Sequence, residues 1–130
     1  MLLYDSPVSG NCYKVRLLLA HLGTEYERVT VDVVDRSNRA ELLGSLNPAQ
    51  RVPTLVLDDG RALAESGAIL WYFGEGTRFV PGDRFLRAQG KAACIYNKSS
   101  AHPDHGFHSQ LIRVLTVYRL PAGGDLRKLA

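Results

Sequence analysis

Residues 52–64 read VPTLVLDDGRALA, and this stretch carries the clearest short-range structural signal in the chain. The apolar run Thr54–Leu57 predicts a buried strand, and Asp58-Asp59-Gly60 is a tight-turn sequence. Arg61–Ala64 then predicts a strand that returns beside the first. Because a tight turn joins antiparallel neighbours, this hairpin excludes an all-parallel sheet.

Two further strands and two helices are predicted before the hairpin. Met1–Tyr4 is a short apolar run that indicates a strand, and Cys12–Leu22 carries apolar residues at helical spacing before Gly23. Tyr26–Val34 alternates valine with polar residues and predicts a second strand. A helix that connects two strands favours a parallel pair. Ser37 is a candidate cap for a short second helix.

The predicted order of elements defines an α/β fold. Ser66 is a candidate N-cap for a helix after the hairpin, which completes the order β-α-β-α-β-β-α within residues 1–76. We therefore predict a mixed four-stranded sheet flanked by helices. Residues 77–83 have the composition of a linker, and residues 84–130 are predicted to form a partial α-helical second domain.

Composition and charge exclude several classes of protein. The chain has 130 residues, of which 45% are hydrophobic and 22% are charged, as in ordinary globular domains. Its net charge of +3 comes from basic residues that are mixed with acidic ones, so nucleic-acid binding is not predicted. Residues 1–5 lack the basic and long apolar regions of a signal peptide, so none is expected, and the sequence has no apolar run long enough to span a membrane. These features predict a cytoplasmic protein without a membrane partner.

Three segments of the chain resemble bacterial-type glutathione S-transferases. They occur in the family's order and are Leu3–Arg16, Asn47–Leu55 and Leu63–Phe73. The resemblance covers residues 2–89 and implies a thioredoxin-like first domain. In the family a longer all-helical domain follows. Residues 84–130 are shorter than that domain, and Gly90–Gln110 match it poorly, so the resemblance predicts a truncated second domain of unexplained origin.

The resemblance implies a function and the residues that perform it. Members of the family bind glutathione as a co-substrate, activate its thiol for attack on an electrophilic small molecule, and form homodimers. The reactive species is the thiolate, and the resemblance implies that Ser9 donates a hydrogen bond to it. A helix N-terminus favours negative charge at the same place. Asn11 and Cys12 remain alternative thiol contacts, Ser6 is a further rival of Ser9, and Ser9 can also be a plain helix cap.

Five residues are candidates for glutathione binding, and the same resemblance implies four of them. Val52-Pro53 is expected to be a cis peptide, and the Val52 backbone is expected to pair with the peptide backbone of glutathione. Glu65 is assigned to the ammonium group and Ser66 to the carboxylate of the γ-glutamyl end. Arg51 is a further candidate, which either adds positive charge for the glycine carboxylate or is simply a solvated side chain.

Alternative functions remain open at this point. Glutaredoxin-type chemistry needs a cysteine at the first position of the turn, where Ser9-Gly10-Asn11-Cys12 has serine. A non-catalytic glutathione-binding module, or an inactive truncated transferase, is also consistent with a short second domain. The sequence therefore leaves open whether the chain is an active enzyme. Histidines recur every third residue over His102–His108, but a proline and a glycine among them disfavour a rigid helical site, and no metal is predicted.

Overall fold

The computed structural model describes residues 1–36 and 38–99. Ser37, the His102–His108 segment and the rest of residues 100–130 lie outside the described residues, and so does most of the predicted second domain. In chain order the elements are β1 Leu2–Asp5, α1 Gly10–Leu22, β2 Glu27–Thr30, α2 Arg39–Leu43, β3 Thr54–Val56, β4 Ala62–Ala64, α3 Ser66–Gly74 and α4 Arg84–Ser99.

The four strands form one mixed sheet in the order β2-β1-β3-β4. β1 is parallel to β2 and antiparallel to β3, and β3 is antiparallel to β4 across the predicted hairpin. The thioredoxin-like arrangement expected from the sequence is thereby confirmed. The connection through α1 accounts for the parallel pair, because two parallel strands need a long crossover.

Helix α1 begins two residues earlier than its apolar pattern predicts. Ser9 has an extended backbone, and its hydroxyl oxygen accepts a hydrogen bond from the Cys12 N–H. This cap lets Gly10 start the helix, although glycine carries no helical signal of its own. At the other end Gly23 takes a left-handed conformation with φ of 65°, which makes it the predicted stop.

Strand β2 is shorter than the alternating pattern of Tyr26–Val34 predicts. It ends at Thr30, and soon afterwards the Asp32 carboxylate accepts hydrogen bonds from the backbone N–H groups of Val34 (2.7 Å) and Asp35 (3.0 Å). Such local side-chain bonds turn the backbone away from the strand ladder. The bonds from Asp35 and Val34 also lower the pKa of Asp32.

The core is built from the apolar faces of the strands and helices predicted from the sequence. Its fully buried apolar residues include Leu3, Val15, Leu19, Val31, Leu43, Leu55 and Ile69. Backbone contacts divide the described chain into two compact units, Met1–Leu70 and a second that begins at Trp71. The domain limits predicted from the sequence remain a prediction.

The second unit has its own packing within the part of the chain that is described. Phe79 and Val80 are buried. Arg87 Nη2 donates to both carboxylate oxygens of Glu75. The cationic groups of Arg87 and Lys91 lie 5.8 and 5.1 Å from the centre of the Trp71 ring. No helix among the described residues has the length and apolar character needed to cross a bilayer.

Candidate functional site

The sheet register brings the three predicted site segments to one end of the sheet. Tyr4 pairs with Thr54, and Thr54 pairs with Ala64, across antiparallel neighbours. The chain leaving β1, the chain entering β3 and the chain leaving β4 therefore meet at the same edge. These three connections contain Ser9, Val52-Pro53 and Glu65-Ser66 respectively.

Ser9 lies at this edge as the N-cap of α1. Its hydroxyl oxygen is 3.4 Å from the Cys12 nitrogen, and its own N–H donates to the Ser6 carbonyl at 3.1 Å. The capping interpretation of Ser9 is thus confirmed. A hydroxyl has two acceptor lone pairs and one proton, and capping uses only a lone pair, so it does not consume the proton that a ligand would need. Of its rivals, Ser6 is buried, whereas Asn11 is exposed.

Cys12 is buried, which disfavours it as a reactive thiol. Burial raises the pKa of the Cys12 thiol to about 11, although hydrogen bonds from the Ser9 side chain and the Ser6 backbone act in the opposite direction. At neutral pH the group is therefore a thiol. This environment argues against the glutaredoxin-type alternative, which needs a low-pKa, accessible cysteine.

The burial of Cys12 predicts an order of reaction with an alkylating agent. At pH 8, a thiol with a pKa of about 11 is only about 0.1% thiolate, so iodoacetamide should modify half-exposed Cys94 well before Cys12. Peptide mass spectrometry over a time course measures both rates. In urea the two rates should converge. Equal rates in the folded protein would contradict this environment for Cys12.

The Val52-Pro53 peptide bond is cis, as the sequence resemblance implies. Pro53 is buried, Val52 is half-buried and Arg51 is exposed. Within residues 1–36 and 38–99, neither the N–H nor the C=O of Val52 has a hydrogen-bond partner. One donor and one acceptor are therefore available next to each other on the backbone, as a strand-like partner requires.

Glu65 and Ser66 form the junction between β4 and α3. Glu65 has a left-handed backbone with φ of 73°, and its carbonyl accepts from the Ile69 N–H. Glu65 therefore takes the cap position that the sequence assigns to Ser66, and Ser66 is the first residue of α3. Ser66 is largely buried, and its N–H is one of the first-turn groups that have no partner within helix α3 itself. No sequence signal indicates the left-handed conformation of Glu65.

A buried charge network, which was not predicted from the sequence, joins the end of β1 to α1 and β2. Asp5 is 1% exposed, and its two carboxylate oxygens accept from Arg16 Nη1 at 2.6 and 2.9 Å. Arg28 adds a contact of 2.8 Å from β2. Arg16 also donates to the Ser6 carbonyl, which accepts the Ser9 N–H. The available signal was an arginine inside the apolar run Val15–Leu19.

A model of the glutathione S-transferase N-terminal domain matches residues 1–75. The chain belongs to the glutathione S-transferase family. The match contains the whole β-α-β-α-β-β-α arrangement and every segment at the sheet edge described above. Among the residues that the structure describes, no three histidine, cysteine, aspartate or glutamate side chains lie close enough together to hold a metal ion.

Two individual relatives are similar to this chain over nearly its whole length. A probable maleylacetoacetate isomerase from Caenorhabditis elegans is 31% identical over 97% of this chain and 58% of its own length. A glutathione S-transferase structure from Pseudomonas fluorescens has 33% identity and a TM-score of 0.73, covering 98% of this chain and 61% of that one.

A third relative was solved with ligands. Maleylacetoacetate isomerase from Methylobacterium extorquens, with malonate and glutathione bound, has 26% identity and a TM-score of 0.70. The alignment covers 99% of this chain and 61% of that one. The chain spans about half the length of three maleylacetoacetate isomerases that it matches.

Proposed function

We propose that this protein binds glutathione and activates its thiol for attack on an electrophilic small molecule. The observation that carries the proposal is the meeting of Ser9, Val52 and Ser66 at one edge of the sheet. Each supplies a different kind of group: Ser9 a hydroxyl, Val52 a backbone N–H and C=O, and Ser66 a helix N-terminus. These groups match the thiol, the peptide backbone and the terminal carboxylate of one extended tripeptide.

The γ-glutamyl end of glutathione is assigned to the Glu65-Ser66 junction. Unpaired N–H groups and the dipole at the start of α3 favour a carboxylate, which Ser66 can also bind through its hydroxyl. The Glu65 carboxylate complements the ammonium group. A left-handed backbone at a residue other than glycine costs on the order of 1–3 kcal/mol and is concentrated at functional sites. The φ of Glu65 therefore supports a binding role for this junction.

The rest of the tripeptide is assigned to the chain before β3 and to the α1 cap. The free N–H and C=O of Val52 pair with the peptide backbone of glutathione beside Pro53. Exposed Arg51 supplies positive charge for the glycine carboxylate. The thiol then lies at Ser9, which donates the hydroxyl proton that the cap leaves free. The hydrogen bond and the N-terminus of α1 both stabilise the thiolate over the thiol.

A second candidate reaction uses the same thiolate. The maleylacetoacetate isomerases among the relatives favour a glutathione-dependent isomerisation. The sulfur would add to a conjugated double bond, the resulting single bond would rotate, and the C–S bond would break to return the thiolate. We further propose a cytoplasmic homodimer, as the family resemblance implies.

Glutathione binding should depend on Ser66. Replacing Ser66 with alanine removes a hydrogen bond to a charged carboxylate, so the Kd for glutathione should rise about 10- to 100-fold. Isothermal titration calorimetry measures that Kd. Ser45→Ala, at an exposed position outside the site, is the matched control and should bind like the wild type. Equal affinity in Ser66→Ala and Ser45→Ala would contradict the proposed placement of the γ-glutamyl end.

A further inference from the structure

The loop that leads to Val52 is held by a buried asparagine. Asn47 is 4% exposed, and its Nδ2 donates to the Arg51 carbonyl and to Thr54 Oγ1, both at 3.0 Å. Its Oδ1 accepts from the Ala49 N–H, also at 3.0 Å. One side chain thus joins the start, the middle and the end of the loop.

Thr54 completes this arrangement from the first position of β3. Its side chain is fully buried, and its hydroxyl donates to the Arg51 carbonyl at 2.8 Å. The Arg51 carbonyl therefore accepts two hydrogen bonds, one from Asn47 and one from Thr54. A carbonyl oxygen has two lone pairs, so both are used and its direction is well determined.

The direction of this carbonyl determines the direction of the next N–H. The Arg51–Val52 peptide bond is trans, so its C=O and N–H groups lie in one plane and point in opposite directions. With the Arg51 carbonyl turned toward Asn47 and Thr54, the Val52 N–H points away from them. That N–H is unpaired in the described part of the chain.

We propose that Asn47 and Thr54 are positioning residues that aim the Val52 N–H at the peptide backbone of glutathione. The inference rests on the proposed function, and it assigns a role to two residues that never touch the ligand. If either hydrogen bond to the Arg51 carbonyl is lost, the peptide plane can rotate. The Val52 donor then spends less time in the direction that a bound tripeptide needs.

Thr54→Val and Thr54→Ser form the matched pair that tests this inference. Valine keeps the shape and the strand preference of threonine but has no hydroxyl, whereas serine keeps the hydroxyl. We expect Thr54→Val to raise the Kd for glutathione about 3- to 10-fold, as for one lost hydrogen bond, and Thr54→Ser to stay within about twofold of the wild type. Calorimetry at 15 °C and thermal unfolding are measured on the same samples.

A second variant covers the case in which Thr54→Val does not fold. Asn47→Ala removes the other donor to the Arg51 carbonyl and should weaken binding by a similar factor. A purely structural role predicts lower melting temperatures with an unchanged Kd in the folded variants, and that result would overturn the inference. If the wild type binds glutathione and Ser66→Ala weakens binding while Thr54→Val does not, only the positioning role fails. If the wild type does not bind glutathione, the proposed function fails and the positioning role fails with it.

Discussion

Replacing Ser9 with alanine should reduce glutathione conjugation about 50-fold near pH 6.5 and leave glutathione binding nearly unchanged there. A free thiol of this type has a pKa of about 8.5, so little thiolate exists at neutral pH. Lowering that pKa by about two units requires roughly 2.7 kcal/mol in favour of the anion. If the Ser9 hydroxyl supplies most of this stabilisation, its removal returns the bound thiol to its ordinary range.

The pH dependence distinguishes this role from a loss of folding. A lowered thiol pKa gives the wild type its advantage below the free pKa, where the variant holds its sulfur as a thiol. The advantage should shrink as the pH rises and should vanish above about pH 8.5, where both proteins carry thiolate. Initial rates with 1-chloro-2,4-dinitrobenzene between pH 6 and 9 measure it, alongside the glutathione Kd.

Two control variants address the capping role of Ser9 and the rival thiol contact Asn11. As the N-cap of α1, Ser9 also stabilises the helix by about 1 kcal/mol, so Ser9→Ala should unfold slightly earlier. Ser9→Thr keeps the hydroxyl and the cap and should retain most of the rate. Asn11→Ala tests the exposed rival and should conjugate like the wild type. Binding without conjugation in the wild type itself would support the non-catalytic module and reject the catalytic proposal.

Removing the Asp5 carboxylate should have the largest effect on stability. Arg16 is 3% exposed and its charge is compensated by Asp5, so Asp5→Ala leaves a buried, uncompensated guanidinium group. Breaking such a pair costs about 3–5 kcal/mol, whereas a whole domain is stable by only about 5–15 kcal/mol. We therefore expect Asp5→Ala to unfold at much lower urea concentrations than the wild type, as measured by circular dichroism.

Two further variants test whether the loss of stability comes from leaving one buried charge without its partner. The double variant Asp5→Leu with Arg16→Met replaces both buried charges by apolar side chains and should recover much of the lost stability, because only the more exposed Arg28 then loses its contact with Asp5. Asp59→Ala removes an exposed carboxylate that pairs with the Arg61 side chain and accepts its backbone N–H, and its unfolding midpoint should fall much less than that of Asp5→Ala. An Asp5→Ala midpoint close to that of Asp59→Ala would show that the buried pair does not stabilise the fold.

The features that the sequence predicts correctly are those determined by residues that are neighbours in the sequence. The Asp58-Asp59-Gly60 turn fixes an antiparallel pair within a few positions, and Gly23 ends α1 through its own backbone freedom. The length of β2 was overestimated because the carboxylate of Asp32 binds two nearby N–H groups, a competition that an alternating pattern does not reveal. Ser9 was found because a capping residue is visible beside the helix that it caps.

Local signals in the chain were thus enough for most of the elements and for the mixed sheet, whereas most of the candidate site residues came from the family resemblance. Three features required the folded arrangement: the common edge shared by Ser9, Val52 and Ser66, the Asp5–Arg16 pair, and the turning of the Arg51 carbonyl by Asn47 and Thr54. Each depends on strand register, on burial or on the direction of a hydrogen bond. Those quantities arise when distant parts of the chain pack together, so no window of neighbouring residues contains them.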